Sequence, residues 1–239
     1  MTADRWTRAV RHQVGLGRIL PLGGPRDGAW IAEGAAETVL RRAVVRDVPG
    51  VRLDGVRIGL ADPEGAGESV VPAPASALPP GALRLTVEFA ATAARPLPVT
   101  ASRLRAVLAE VAPERIGLTV TEVDLRVTEL LDAEPEPVPV AEPVRESGPE
   151  PSDSGSEAGR VAVAARAVPG VSRLTGALGR SVHLAEHPGG TSLPRRHARV
   201  DLAVLADARP LDVARGVRSA VASALPGGPT VAVLITAVD

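Results

Sequence analysis

The tetrapeptide Val48-Pro49-Gly50-Val51 recurs as Val168-Pro169-Gly170-Val171, and what surrounds the two occurrences decides the fold. Before the first, Val39, Leu40, Ala43 and Val44 fall on one face of a helix; before the second, Val161, Ala164, Ala165 and Val168 do the same. Both helices are expected to end at the Pro, which disfavours helical backbone in the residue before it. An alternating segment then follows each turn, Val56 to Asp62 in the first half and Ser181 to Glu186 in the second. Laying Leu60-Ala61-Asp62 on Leu184-Ala185-Glu186 matches the ends of these two strands and puts His183 in the place of Gly59.

Further along, Leu83, Leu85, Val87 and Phe89 alternate as Ala198, Val200, Leu202 and Val204 do, which is the pattern of a half-buried sheet face. One offset of 113 positions relates the two runs. The same offset carries Leu104 onto Val217, Leu108 onto Val221 and Pro113 onto Pro226, a helix stripe with its stop. It then carries Leu118, Val120 and Val123 onto Val231, Val233 and Thr236 as a last strand. The turns themselves are 120 apart, and the difference is assigned to the Gly/Pro/Ala/Ser loop from Pro63 to Pro80. Ala29-Trp30-Ile31-Ala32 is a candidate leading strand of the first half.

The expected fold class is α+β: two copies of a small open-faced sandwich, helix-strand-strand-helix-strand, each of roughly 80 to 100 residues. Continuous apolar strands would have indicated a buried parallel sheet, and these strands alternate. The expected organisation is an N-terminal amphipathic segment over residues 1–27, a first module over 28–131, a linker over 132–157 and a second, shorter module over 158–239.

Element order and the turn signature together resemble the alkaline shock protein family, the Gram-positive envelope stress response proteins. The likeness runs from Trp30 to Val127: Ile31-Ala32-Glu33 opens the first helix, Val48-Pro49-Gly50-Val51 closes it, Leu85-Thr86-Val87-Glu88-Phe89 forms the middle strand, and Val120 to Val127 the final one. In the second half the leading strand is missing, and Val231-Ala232-Val233-Leu234-Ile235-Thr236 replaces the family's polar ending. The resemblance implies a non-catalytic, cytoplasmic protein that assembles or sits near the membrane, and it brings no catalytic residues with it.

All 27 basic residues are Arg, and Lys, Asn, Tyr and Cys do not occur, a bias expected of a high-GC bacterial coding sequence. Lack of Cys removes disulfides, thiol catalysis and Cys-ligated zinc together. Met1-Thr2-Ala3-Asp4-Arg5-Trp6 shows no signal-peptide apolar region, and no run approaches the ~20 apolar residues of a membrane span. The expected location is cytoplasmic, at most peripheral to the inner face of the membrane. Asp132 to Glu157 holds six Pro and eight acidic residues against one Arg, the composition of an extended linker. Without that stretch the remainder is mildly basic.

Part of that basic charge lies at the start of the chain. On a helical wheel Ala3, Trp6, Val10 and Val14 share one face, with Arg5, Arg8, Arg11 and Arg18 on the other. Arg5, Trp6, Arg8, Val10, Arg11 and Val14 are therefore the candidate interaction residues, docking on the protein's own domain, on a partner or on a membrane surface.

Two motifs invite chemistry that their setting opposes. His183-Leu184-Ala185-Glu186-His187 spells H-x-x-E-H, which binds zinc only when both His share a helical face, whereas the repeat puts them on a strand. Gly176-Ala177-Leu178-Gly179 spells the G-x-x-G of an RNA-binding KH loop, which must lie between helices, whereas this one precedes a strand. Trp6, Trp30 and Phe89 are the only aromatics, too few for base-stacking platforms, so nucleic acid is not an expected partner. No G-x-S-x-G elbow or G-x-x-x-x-G-K-[ST] phosphate loop occurs. Glu122, Asp124 and Glu129 on the last strand of the first half read as a solvated face.

The expectation is a scaffold or interaction protein of the envelope stress type, not an enzyme, with no cofactor and no metal. Its partner would be itself or a membrane-anchored protein. The alternative is a nucleic-acid or protein adaptor on the same sandwich. The terminal run Val231 to Ile235 is either an edge strand open to pairing or a buried central strand.

Overall fold

The computed structural model describes residues 16–135, 155–176, 179–189 and 192–239. In chain order the elements are β1 (Ile19–Leu22), β2 (Ala29–Ala32), α1 (Glu33–Asp47), β3 (Val51–Leu60), β4 (Leu83–Thr92) and α2 (Leu97–Val111), which a π-helical turn (Ala112–Ile116) extends. Then come β5 (Val120–Leu131), α3 (Glu157–Arg166), β6 (Val171–Leu174), β7 (Val182–Gly189), β8 (Ser192–Val204), α4 (Pro210–Ala224) and β9 (Thr230–Val238). The protein is mixed α+β with two sheets. The six candidate residues Arg5 to Val14 and most of the acidic linker lie outside the described residues.

Each helix buries the stripe that its apolar spacing dictates. α2 turns Thr100, Leu104, Leu108 and Val111 inward, α1 Ala36, Leu40, Ala43 and Val44, and α4 Ala214, Val217 and Val221. α3 starts on Ser156, whose hydroxyl accepts from the Gly159 amide, so the last residue of the expected linker, Glu157, is helical.

In the two Val-Pro-Gly-Val turns Gly50 and Gly170 take φ of 80° and 89°. A Cβ at Gly50 would lie 2.7 Å from Thr92 Oγ1 and one at Gly170 2.7 Å from Val213 Cγ2, so conformation and space both require Gly. The two turns are tied down alike: the Gly50 carbonyl accepts from the Thr92 amide and the Gly170 carbonyl from the Leu205 amide, each at 2.9 Å.

The small sheet runs β3-β4-β5, antiparallel and then parallel. The large sheet runs β1-β2-β9-β8-β6, with β7 also on β8. Along β8, β6 and β7 lie antiparallel one after the other, as β3 lies along β4, and β9 follows in parallel. The β3 bulge between Leu53 and Gly55 falls where the corresponding strand of the second half breaks in two.

Cross-strand partners correct three registers read from the sequence. Leu184 faces Ala198 and Ile58 faces Leu85, so at the offset of 113 it is Ile58, not Leu60, that corresponds to Leu184. His183 therefore takes the place of Arg57 rather than Gly59. Val231 faces Ala198 and Val123 faces Leu85, which makes Val123 the counterpart of Val231, in place of Leu118. The π-helical turn and Gly117 after it lengthen the first half just before β5, and the offset fails there.

The leading strand exists, but its partner belongs to the other half. β2 pairs in parallel with β9, Ala29 with Val233, Trp30 with Leu234 and Ile31 with Ile235. β9 is thus a central strand between β8 and β2, and the edge reading of Val231 to Ile235 gives way to the buried one. α1 packs against β2 and β9 on one side and β3 on the other, and one continuous apolar core takes residues from both halves. A second cluster, Ile19, Trp30, Val71, Ala232 and Leu234, covers the opposite face of the large sheet beneath the β3/β4 loop. No helix among the described residues is long and apolar enough to cross a membrane.

Candidate interaction surface

Charged side chains collect on the outer face of the small sheet because alternation in β4 and β5 sends the apolar residues inward. Leu85, Val87 and Phe89 face the core with Val123 and Leu125 packed beside them, leaving Arg84, Thr86 and Glu88 outside with Glu122, Asp124 and Arg126. Arg84 reaches Glu122 at 2.5 Å and Asp124 at 3.6 Å, and Arg126 reaches Glu88 at 3.3 Å. Arg52 on β3 bridges Asp54 at 2.8 Å and Glu129 at 2.9 Å, and Thr128 donates to Asp54. Burial pushes the Asp54 carboxyl up, but the hydrogen bonds from Arg52 and Thr128 outweigh it and leave it below the ordinary range. The hydrogen bond to Glu122 raises the Arg84 guanidinium. The acidic residues on β5 are therefore partners in an ion-pair lattice over a solvated face.

The two edges of this sheet differ. Along β3, Arg41 donates to the Leu53 carbonyl, Glu33 accepts from the Ile58 amide at 2.8 Å, and Arg18 donates to the Ile58 carbonyl at 3.0 Å. β5 is an edge strand with no strand beyond it among the described residues. Arg105 on α2 approaches the Val123 carbonyl at 3.2 Å, which directs the main-chain groups of Val123, and with them those of Leu125 and Val127, away from β4. Val127 and Leu130 on this strand are exposed.

His183 and His187 lie on β7 opposite Arg199 and Arg195, the extended setting expected for them. Gly176 and Gly179 stand between β6 and β7, not between helices. A cleft of about 210 Å³ opens between β7, β8 and the end of α4, lined by Leu184, Glu186, Arg196, His197 and Leu225, below the ~300 Å³ at which ligand pockets begin. Arg196 in its wall is bound to Glu157, and His197 Nδ1 lies 2.9 Å from Thr230 Oγ1.

Sequence reasoning found the charged face and missed the edge. The signal was present in register: where β9 carries Ala232 and Leu234 under a cover, β5 carries Asp124 and Arg126.

No family model matches this chain, and no curated protein is significantly similar to it.

Proposed function

We propose that this protein is a non-catalytic scaffold of the envelope stress type, working near the cytoplasmic membrane face and built from two copies of one sandwich module. The observation that carries this reading is the repeated plan: in each half a helix enters a Val-Pro-Gly-Val turn, an antiparallel pair follows, and a helix leads into a parallel strand. That plan and the turn are what the resemblance to the alkaline shock family rests on. The ion-pair lattice supports a contact role over acid-base chemistry, because its carboxylates are paired with Arg on a face open to water rather than held in a pocket. Two modules in one chain also double the contacts available to a repeating partner.

Imaging a fluorescently tagged copy in living cells tests the reading, with a peripheral pattern expected. A nucleoid pattern, or RNA binding that weakens steeply with salt, would move the weight to the adaptor alternative.

A further inference from the structure

The edge of β5 carries the inference furthest, because the other half of the chain shows what such an edge accepts. β2 pairs with β9 from Val233 to Ile235, and by register that stretch corresponds to Leu125 to Val127 on β5. A strand therefore adds to the large sheet at the place where the small sheet has no further strand among the described residues.

We propose that the free edge of β5 pairs antiparallel with β5 of a second copy of this chain, about a two-fold axis through Leu125, giving one continuous six-stranded sheet across the dimer. This rests on the scaffold reading and names its surface and its partner.

Charge fixes the occupant and the register. Residues opposite each other in an antiparallel pair point to the same face, so only registers that shift by two keep the apolar row inward. With Leu125 opposite itself, Val123 meets Val127 and Asp124 meets Arg126, twice over by symmetry. A shift of two in one direction sets Asp124 against itself, and in the other direction Arg126 against itself. Only the Leu125 register has no like pair. Both charged side chains are exposed, Asp124 at 62% and Arg126 at 77%, and their contacts with Arg84 at 3.6 Å and Glu88 at 3.3 Å are long enough to give way to, or be shared with, a partner across the seam.

Backbone geometry agrees. Val123, Leu125 and Val127 present their amides and carbonyls outward, so this register makes them the hydrogen-bonded pairs of the new ladder. The partner's Val127 amide replaces Arg105 on the Val123 carbonyl. Pairing also covers Val127, 40% exposed, and Leu130, 57% exposed, which opposes Val120 of the second copy.

Sedimentation of the full chain across concentration, with hydrogen exchange of the β5 amides, tests this. A dimer is expected, with the Leu125 and Val127 amides protected only in the dimer. Asp124→Arg alone and Arg126→Asp alone should each weaken association roughly tenfold or more by setting like charges opposite. Mixing the two single variants should restore a heterodimer, and the double variant should restore the homodimer. Both positions are exposed, and circular dichroism confirms that each variant is folded.

A chain that stays monomeric at every concentration overturns the pairing. A monomer whose β5 amides are protected only by a foreign protein overturns it in favour of that partner, and the scaffold reading survives. A dimer indifferent to all these variants overturns the surface while leaving self-association in place.

Discussion

Glu33 shows how one buried carboxylate joins two sheets. It sits in the first turn of α1, 4% exposed, and accepts from the Arg18 amide through Oε2 and from the Ile58 amide through Oε1. Arg18 precedes β1 of the large sheet, and Ile58 lies on β3 of the small one. Glu33→Ala leaves two main-chain donors without their acceptor and is expected to cost about 3 kcal/mol in denaturant unfolding, with Glu33→Gln costing less. A loss within 0.5 kcal/mol would show that water replaces the carboxylate at no net cost. The histidines are expected to behave otherwise: replacing His183 and His187 with Ala should leave fold and bound metal unchanged by circular dichroism and elemental analysis. Stoichiometric zinc lost on either change would contradict their placement on a strand.

Among elements, the β1/β2 hairpin and α4 are held together from opposite ends of the chain. Arg215 bonds Asp27 at 2.9 Å, and Arg218 donates to the Arg26 and Val231 carbonyls, both at 3.0 Å. The hydrogen bond from Arg215 holds the Asp27 carboxyl below its ordinary 3.8, so on acidification the unfolded chain takes up the proton first. The stabilisation is whole above about pH 4 and fades as pH falls further through the folded value. Asp27→Asn is expected to lose about 1 kcal/mol or less at neutral pH, since Arg215 is half exposed, and its gap to the parent should close as pH falls below the ordinary carboxylate range. A gap between the two unfolding curves that persists to low pH would refute the linkage. Gly117 marks a second junction: its φ is +99°, and a Cβ there would sit 2.4 Å from Leu211 Cβ of α4. Gly117→Ala is expected to cost 2 kcal/mol or more, about as much as strain and overpacking together.

At the scale of the whole molecule, the two halves behave as one folded body. β2 is stitched to β9, the Gly23 amide donates to the Gly117 carbonyl at 3.0 Å, and Arg209 donates to the Pro113 carbonyl at 2.8 Å. Cutting the chain within the acidic stretch between Asp132 and Glu157 is therefore expected to leave a nicked protein that elutes as a single species and separates only in denaturant. Two independently eluting fragments would mean that the shared core contributes little to holding the halves.

The sequence by itself determined the longer elements and their buried faces, because those depend on local spacing: Leu104 and Leu108 on one side of α2, Leu83 to Phe89 alternating along β4, and the repeated turn where Gly50 and Gly170 take positive φ. It also placed the charged face of β5, since alternation alone sends Glu122 and Asp124 outward. What it did not determine was partnership across distance. The run Ala29-Trp30-Ile31-Ala32 reports that it is buried and is silent about which strand lies beside it, and the offset that served β4 and β8 failed once the π-helical turn lengthened one half. Tertiary structure alone decided that β2 joins β9, that β9 is central and that β5 is left at an edge. The physical reason is that main-chain hydrogen bonds between strands are the same for every residue: which edges meet is settled by how the two apolar faces close into one core.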